Sequence, residues 1–435
     1  MPYPENQKYL DECILPLRRG LGDLLINLDM PHDGMAVYYS VAAAHAGGIS
    51  DSAAYNSVDG AHSNVVKLAE DCALQWVYTT RKRLLDGDLA RRGIKLLVLP
   101  FHQALDQDEV DVLRSFVQAG GTVLADLRPG VYSGHCRPLE HGPAEALFGI
   151  ERTGKGKPVP IEGTLTVNLN GQDIPISVRN NRADGEIKAT TATVGGELSG
   201  APLFLVNRIG KGSAILLNFH VTQYNGEREM SKGAKKRAFF RALTAAIGVQ
   251  PPLLRRGTDG GEVLRTETIT WRKGNVTLHA LYRDGGTDAS GVDLELADDA
   301  FVFDLRRGER GKTRRIRIDA LKPGYAQFLA VYPYDPGKPK VKVSGKRAKA
   351  GDTVRFAISM SGVPGSETGV FSYETRLMDP SGKRVDVIPW SVQGVGGKTA
   401  THVRFAHNDP DGIWQLRVRE VTTGRETVAE IKKGP

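Results

Sequence analysis

Hydrophobic spacing along the chain changes period several times, and each change predicts an element. Residues 5–29 place Leu10, Ile14, Leu17, Leu21 and Leu24 at alternating spacings of four and three, which puts them on one face of a helix. Pro16 and Gly20 interrupt that face, since proline removes a helix donor and glycine weakens helical order. Such a stripe needs an apolar partner, either later in the chain or outside it. GMAVYYS (34–40) reads as a short buried strand, and HSNVVKLAEDCALQWV (62–77) returns to helical spacing. IKLLVLP (94–100) is continuously apolar, as a strand covered on both faces should be. DQDEVDVLRSFVQAGG (106–121) has acids in its first turn and glycine at its end, the polarity of a capped helix. GTVLADL (121–127) is the next buried strand. Strands alternating with helices predict βαβ units and a parallel sheet.

From 155 to 200 Gly, Thr, Asn and Val alternate, as in short antiparallel strands. APLFLVNRIGKGSAILLNF (201–219) predicts two strands around a tight turn. GAKKRAFFRALTAAIGV (233–249) is an amphipathic helix that closes the first domain near 250. Linker-like stretches follow at 251–261 and 334–340. Between and beyond them the spacing is that of strands and turns, with turn chemistry at 379–383 and 408–412. The expected class is α/β plus all-β: a flavodoxin-like parallel-sheet domain followed by two β-sandwich modules. The expected divisions are a leading helix at 1–30, a domain at 31–250 with a β-rich insertion at about 151–220, and sandwiches at 251–335 and 336–435.

Composition narrows the function classes. At 40% hydrophobic and 25% charged residues the chain is an ordinary globular one. Its net charge of +8 is uneven: from residue 255 onward there are 31 Lys and Arg against 23 Asp and Glu, while the earlier part is balanced at 27 each. The excess lies in RRGERGKTRRIR (306–317) and KPKVKVSGKRAK (338–349). No helix-turn-helix, zinc-finger or RNP-type motif accompanies it. The preferred reading is therefore solvated strand edges, with no nucleic-acid partner. Three scattered cysteines imply no disulfide framework. The N-terminus lacks a basic, apolar leader, and no apolar run approaches a membrane span. The expectation is a cytoplasmic protein with no membrane partner.

Several phrases resemble one family. AVYYSVAAAHA (36–46), KLLVLPFHQALDQDEVDVLRSFVQAGGTVLADLRPGVY (95–132) and LFGI (147–150) resemble the trimerisation domain of the glycoside hydrolase family 42 β-galactosidases and their larger relatives. NDPDGIWQLRVREVTTGRE (408–426) is similar to the C-terminal, immunoglobulin-like β-sandwich of those relatives. The resemblance implies a non-catalytic domain with a class I glutamine amidotransferase-like fold, and a homotrimer. The family's two catalytic glutamates sit on a (β/α)8 barrel of about 250 residues, and they have no matching positions here. The leading helix then resembles the connection to that barrel.

Candidate chemistry gathers after strand 121–127, because ligand crevices in open α/β sheets lie beyond the strands' carboxyl ends. Ser40, Asp126, Arg128, His135 and Cys136 are the candidate pocket-lining residues there. No nucleophile stands at the elbow itself, which reads Ala-Asp-Leu-Arg-Pro, and Cys136 comes about ten residues later in a loop. Asp126 and Arg128 are expected to tie the domain to its surroundings. His135, Cys136 and His141 have spacing open to a metal, but solvated loop histidines are the preferred reading. GKGKP (154–158) and RIGKGSA (208–214) lack the phosphate-loop pattern, so turns are preferred. Trp271, Trp390 and Trp414 are the candidate sugar-stacking residues, with a buried sandwich core as the preferred alternative. No catalytic residue, metal or cofactor is assigned. The expected function is the assembly and scaffolding portion of a β-galactosidase-like protein, partnered by copies of itself or by a barrel-containing subunit. The alternatives are a stand-alone hydrolase or amidotransferase-like enzyme, and a carbohydrate- or polyanion-binding module.

Overall fold

The computed structural model describes residues 4–48, 58–169, 171–220, 224–286 and 290–434. The chain divides into two compact units, one of His32–Leu254 with Glu262–Thr266, the other of Met1–Pro31, Arg255–Gly261 and Glu267–Pro435. The architecture is α/β plus all-β.

The first unit is built on a mixed seven-stranded sheet. Its strands are β1 (Met35–Tyr39), β2 (Trp76–Thr80), β3 (Leu96–Leu99), β4 (Thr122–Asp126), β7 (Thr193–Leu198), β8 (Ala201–Ile209) and β9 (Gly212–Leu217). The order is β2-β1-β3-β4-β9-β8-β7, parallel from β2 to β9 and antiparallel through β8 and β7. Both faces are covered, which is why 94–100 has no polar alternation. Met35, Val37, Leu96, Val98, Leu124 and Leu217 pack with Val65 and Leu68 of a helix spanning Val58–Asp71, and with Phe239, Phe240 and Leu243 of one spanning Ser231–Ala246. Ala36, Tyr38, Leu97, Leu99, Val123 and Leu216 pack on the opposite face against Val110, Leu113 and Val117 of helix Gln107–Gln118. That helix starts in a capping box, Asp106 and Glu109 satisfying each other's orphan donors.

Two differences from the sequence reading concern this unit. The helical stretch ends at Asp71, and Trp76–Thr80 is edge strand β2. The alternation Trp-Val-Tyr-Thr-Thr marks it, directly behind a helix whose spacing masks the change. The region after 155 is dominated by one long hairpin, β5 (Pro158–Leu169) with β6 (Gln172–Asp184), instead of several short strands. Leu165, Val167, Ile174, Ile176 and Val178 turn its apolar side into the core that also holds β3 and β4.

The second unit contains a six-stranded sheet over Leu254–Tyr332 and a nine-stranded, mostly antiparallel sheet over Pro339–Lys433, in which Arg347–Ala348 pairs parallel with the last strand. The N-terminal stripe divides here. Helix Pro4–Pro16 leads through a π-turn, Leu17–Leu21, into helix Gly22–Asn27. Leu21, Leu24 and Leu28 are buried in one core with Phe371, Tyr373, Trp414 and Leu416, while Ile14 and Leu17 stay exposed. Gly20 makes this possible. Its φ is +112°, and a Cβ there would lie 2.5 Å from Ser372 Oγ. Asp29 and Arg272 then pair backbone to backbone, zipping the segment onto the sheet. Part of the stripe thus finds its partner within the chain.

Candidate functional site

The carboxyl ends of β1, β3, β4 and β9 lie side by side. The sequence uses the same two residues after two of these strands: Pro-Phe-His at 100–102 follows β3, and Asn-Phe-His at 218–220 follows β9. Phe101 takes up a left-handed backbone conformation, φ 46°, which is strained for a bulky residue. Its N–H donates to Asp126 Oδ1, and the ring is fully buried. Asp126 is itself buried, and its other oxygen lies 3.1 Å from His220 Nδ1. The His220 ring meets Phe101 edge-on, with centroids 4.6 Å apart. Asn181 of β6 fixes the histidine backbone, accepting from its N–H and donating to its carbonyl. Nε2 of His220 is buried and has no hydrogen-bond partner among the described residues.

His102 is turned onto the other face of the sheet. It is completely buried, stacked on Tyr38 at 4.4 Å, and neither ring nitrogen has a hydrogen-bond partner among the described residues. Burial, with a smaller contribution from His62, holds its pKa down at about 3, so the ring is neutral. Tyr38 donates to Glu109, whose carboxyl burial pushes above its ordinary range. A narrow apolar cavity touches the tip from the helical side, lined by Val65, Val98, Pro100, Leu124, Phe240 and the Asp126 carboxylate.

The five residues singled out in the sequence have separate partners. Asp126 faces His220. Arg128, also left-handed at φ 57°, reaches Lys155 O at 2.7 Å and lies 3.7 Å from the buried Asp184. Gly156 leaves room for it, since a Cβ there would come within 2.7 Å of the guanidinium carbon. Ser40 caps a short helix, its Oγ accepting from Ala43 N–H at 3.3 Å, and Cys136 Sγ donates to Ala42 O at 3.4 Å. His135 is exposed, and His141 pairs with Glu145 at 3.4 Å. Among the described residues the one three-ligand grouping is Asp106, Asp108 and Glu109, and the Arg81 guanidinium lies within 2.6–3.7 Å of all three, where it answers part of their charge. No helix among the described residues is long and apolar enough to cross a membrane.

The tryptophans are also dispersed. Trp414 is 1% exposed, packed against Phe405, with Nε1 donating to Pro410 O at 3.0 Å. It offers no face to a sugar, because the surrounding apolar core covers it. Trp271 is partly buried beside the same core. Trp390 is half-buried and lies under two guanidinium groups, Arg384 at 3.9 Å and Arg18 at 4.5 Å. His220, Phe101 and His102 went unmarked in the sequence reading. The repeated Phe-His ending of two apolar strands was the signal that could have found them.

Chemically, the tip combines a carboxylate, a histidine and a strained elbow. The residue at that elbow is an inert phenylalanine. Among the described residues, no hydroxyl or thiol bonds Nε2 of His220.

No curated protein matches the sequence. Residues 86–245 match the model of the β-galactosidase trimerisation domain. Among solved structures, the β-galactosidase from Bacillus circulans sp. alkalophilus superposes with a TM-score of 0.59 at 17% identity, over 76% of this chain and 46% of that one. A catalytic mutant of a GH42 β-galactosidase from G. stearothermophilus gives 0.51 at 15% identity, over 70% and 41%. The cold-adapted β-galactosidase from Rahnella sp. R3 gives 0.51 at 16%, over 68% and 40%. At these identities the likeness is one of fold, and the chain spans less than half the length of each enzyme. Over residues 86–245, then, the chain is similar to the β-galactosidase trimerisation domain.

Proposed function

We propose that this chain serves assembly and scaffolding in a β-galactosidase-like glycoside hydrolase system and is catalytically silent itself. The observation that carries the reading is the strand tip, where Phe101 fills the strained turn after β3 and Asp126 and His220 face each other with no nucleophile bonded to them among the described residues. The family match and the fold likeness support the context. On this reading the α/β unit is flavodoxin-like and amidotransferase-like, the C-terminal sandwich is immunoglobulin-like, and the domains divide near 250 and 335. The working form is a homotrimer or a complex with a barrel-bearing subunit in the cytoplasm. The exposed Ile14, Leu17 and Ile26 of the N-terminal helices support a further apolar contact there. Light scattering on the eluted chain tests assembly: a mass near three times the 47.2 kDa protomer is expected, and a monomer that also fails to bind a barrel subunit rejects it. A chromogenic β-galactoside should remain unhydrolysed. Hydrolysis that vanishes in His220→Ala would replace this reading with a stand-alone enzyme built on the Asp126–His220 pair.

A further inference from the structure

The two basic stretches of the C-terminal half have different fates. In 306–317, four of the cations are answered by acids: Arg307 and Arg317 by Asp319, Arg310 by Asp304, and Arg314 by Glu295. The second stretch opens the nine-stranded sheet, whose first three strands are Pro339–Val343, Thr353–Met360 and Lys398–Arg404 in that spatial order. No Asp or Glu occurs in any of the three. Period-two alternation sends Val341, Val354, Phe356, Ile358 and Val403 inward. It sends Lys340, Lys342, Arg355, Lys398, His402 and Arg404 outward, where all are exposed. None of the five Lys and Arg side chains takes part in an ion pair among the described residues.

The pairing register turns this list into a shape. Lys340, Ser359 and Lys398 form one cross-strand row, and Lys342, Ala357 and Ala400 the next. Arg355 lies opposite His402, and Thr353 opposite Arg404. Cations thus flank a floor of small side chains at one end and cross it at the other. From strand spacing the field is about 10 Å wide and about 20 Å long. Edge protection explains lysines on the first strand, which is the sheet's edge. It does not explain Arg355, whose strand is hydrogen-bonded along both sides, or Lys398, which pairs with Ser359 on one side and Val395 on the other.

We infer that this face binds an acidic polysaccharide, one carrying carboxylate or sulfate groups along an extended chain. A single flexible chain fits a floor about two strand spacings wide, whereas the major groove of a DNA duplex alone is about 12 Å across. Single-stranded nucleic acid is held by aromatic platforms as well as by charge, and the outward residues of these strands include no Phe, Tyr or Trp, His402 being the one ring among them. Like charges gathered without acids raise the local potential and the local concentration of a polyanion. This goes beyond the assembly reading and is independent of it, since it needs neither a trimer nor a barrel.

The full chain is passed over immobilised dextran sulfate, polygalacturonate and uncharged dextran at 20 and 300 mM NaCl. Binding to at least one charged polymer is expected at low salt, weakened at least tenfold at high salt, with none to dextran. The polymer preferred tells sulfate from carboxylate. Arg355→Glu, Lys398→Glu and Arg404→Glu together should weaken binding at least tenfold, while Lys312→Glu with Arg315→Glu changes it less than twofold. Should the triple variant lose its fold by circular dichroism, Lys340→Gln with Lys342→Gln replaces it, with an expected loss of at least threefold. The assignment is overturned if neither polymer binds at 20 mM NaCl, if a folded variant of this face binds undiminished, or if a short DNA duplex binds more tightly than both polymers.

Discussion

Asp126 shows how one buried side chain can hold two strand ends. It accepts from the Phe101 N–H and faces His220 Nδ1, so its removal strands two buried polar groups at once. Asp126→Ala should destabilise the chain by about 2–4 kcal/mol, the cost of leaving buried donors unsatisfied, and urea unfolding measures it. His102 predicts the opposite. Its ring is packed and both nitrogens are idle, so His102→Phe should be neutral or stabilising at pH 7 by up to about 1 kcal/mol. A loss larger than that would mean the nitrogens are used. The same residue carries a pH signature. His102 is held at about 3 and His279 at about 4, both by burial, whereas an unfolded histidine titrates near 6.5. Below pH 6.5 the unfolded chain takes up protons that the folded chain refuses, so stability falls as pH drops toward 4. His102→Phe should lessen that fall, read as a smaller shift in the urea midpoint between pH 7 and 4.5.

At the scale of elements, the N-terminal helices show why a stripe alone does not define a buried face. Leu24 is fully buried and Ile14 is 44% exposed, though both lie on the same predicted face. The π-turn, with Gly20 in a left-handed conformation, breaks the helix, so Leu21, Leu24 and Leu28 reach the β-rich core while Ile14 does not. Leu24→Ala should cost about 2–5 kcal/mol. Ile14→Ala should stay within about 0.5 kcal/mol, and thermal unfolding of the pair separates them. The buried strands β1, β3 and β4 were legible because a doubly covered strand needs apolar residues on both sides. Strand β2 was hidden because edge position lets polar threonines into it and a helix runs up to it. The candidate site was legible at Asp126, from the position of a strand end. Its partner was not, because the pairing of β4 with β9 is decided by a chain reversal through the β5–β6 hairpin. No local spacing reports that reversal.

For the molecule as a whole, the excess positive charge is less uniform than composition suggests. Four arginines of the long hairpin near 310 spend their charge on neighbouring acids, and the face formed by 340–342, 355 and 398–404 does not. Low-salt behaviour should therefore be governed by that face alone, and neutralising it should advance elution from a cation exchanger far more than an equal change near 310. The seven-stranded sheet has a consequence of another kind, in time instead of space. Strand β4 ends at Asp126, and the neighbour that completes its pairing begins only at Gly212. During synthesis the middle of the sheet must wait, with an open apolar edge, while the whole hairpin insertion is made and folded. Long-range pairing of this sort is slow and leaves intermediates prone to aggregate. Yield from a host cell should then depend on the speed and temperature of synthesis more than on the stability of the finished fold.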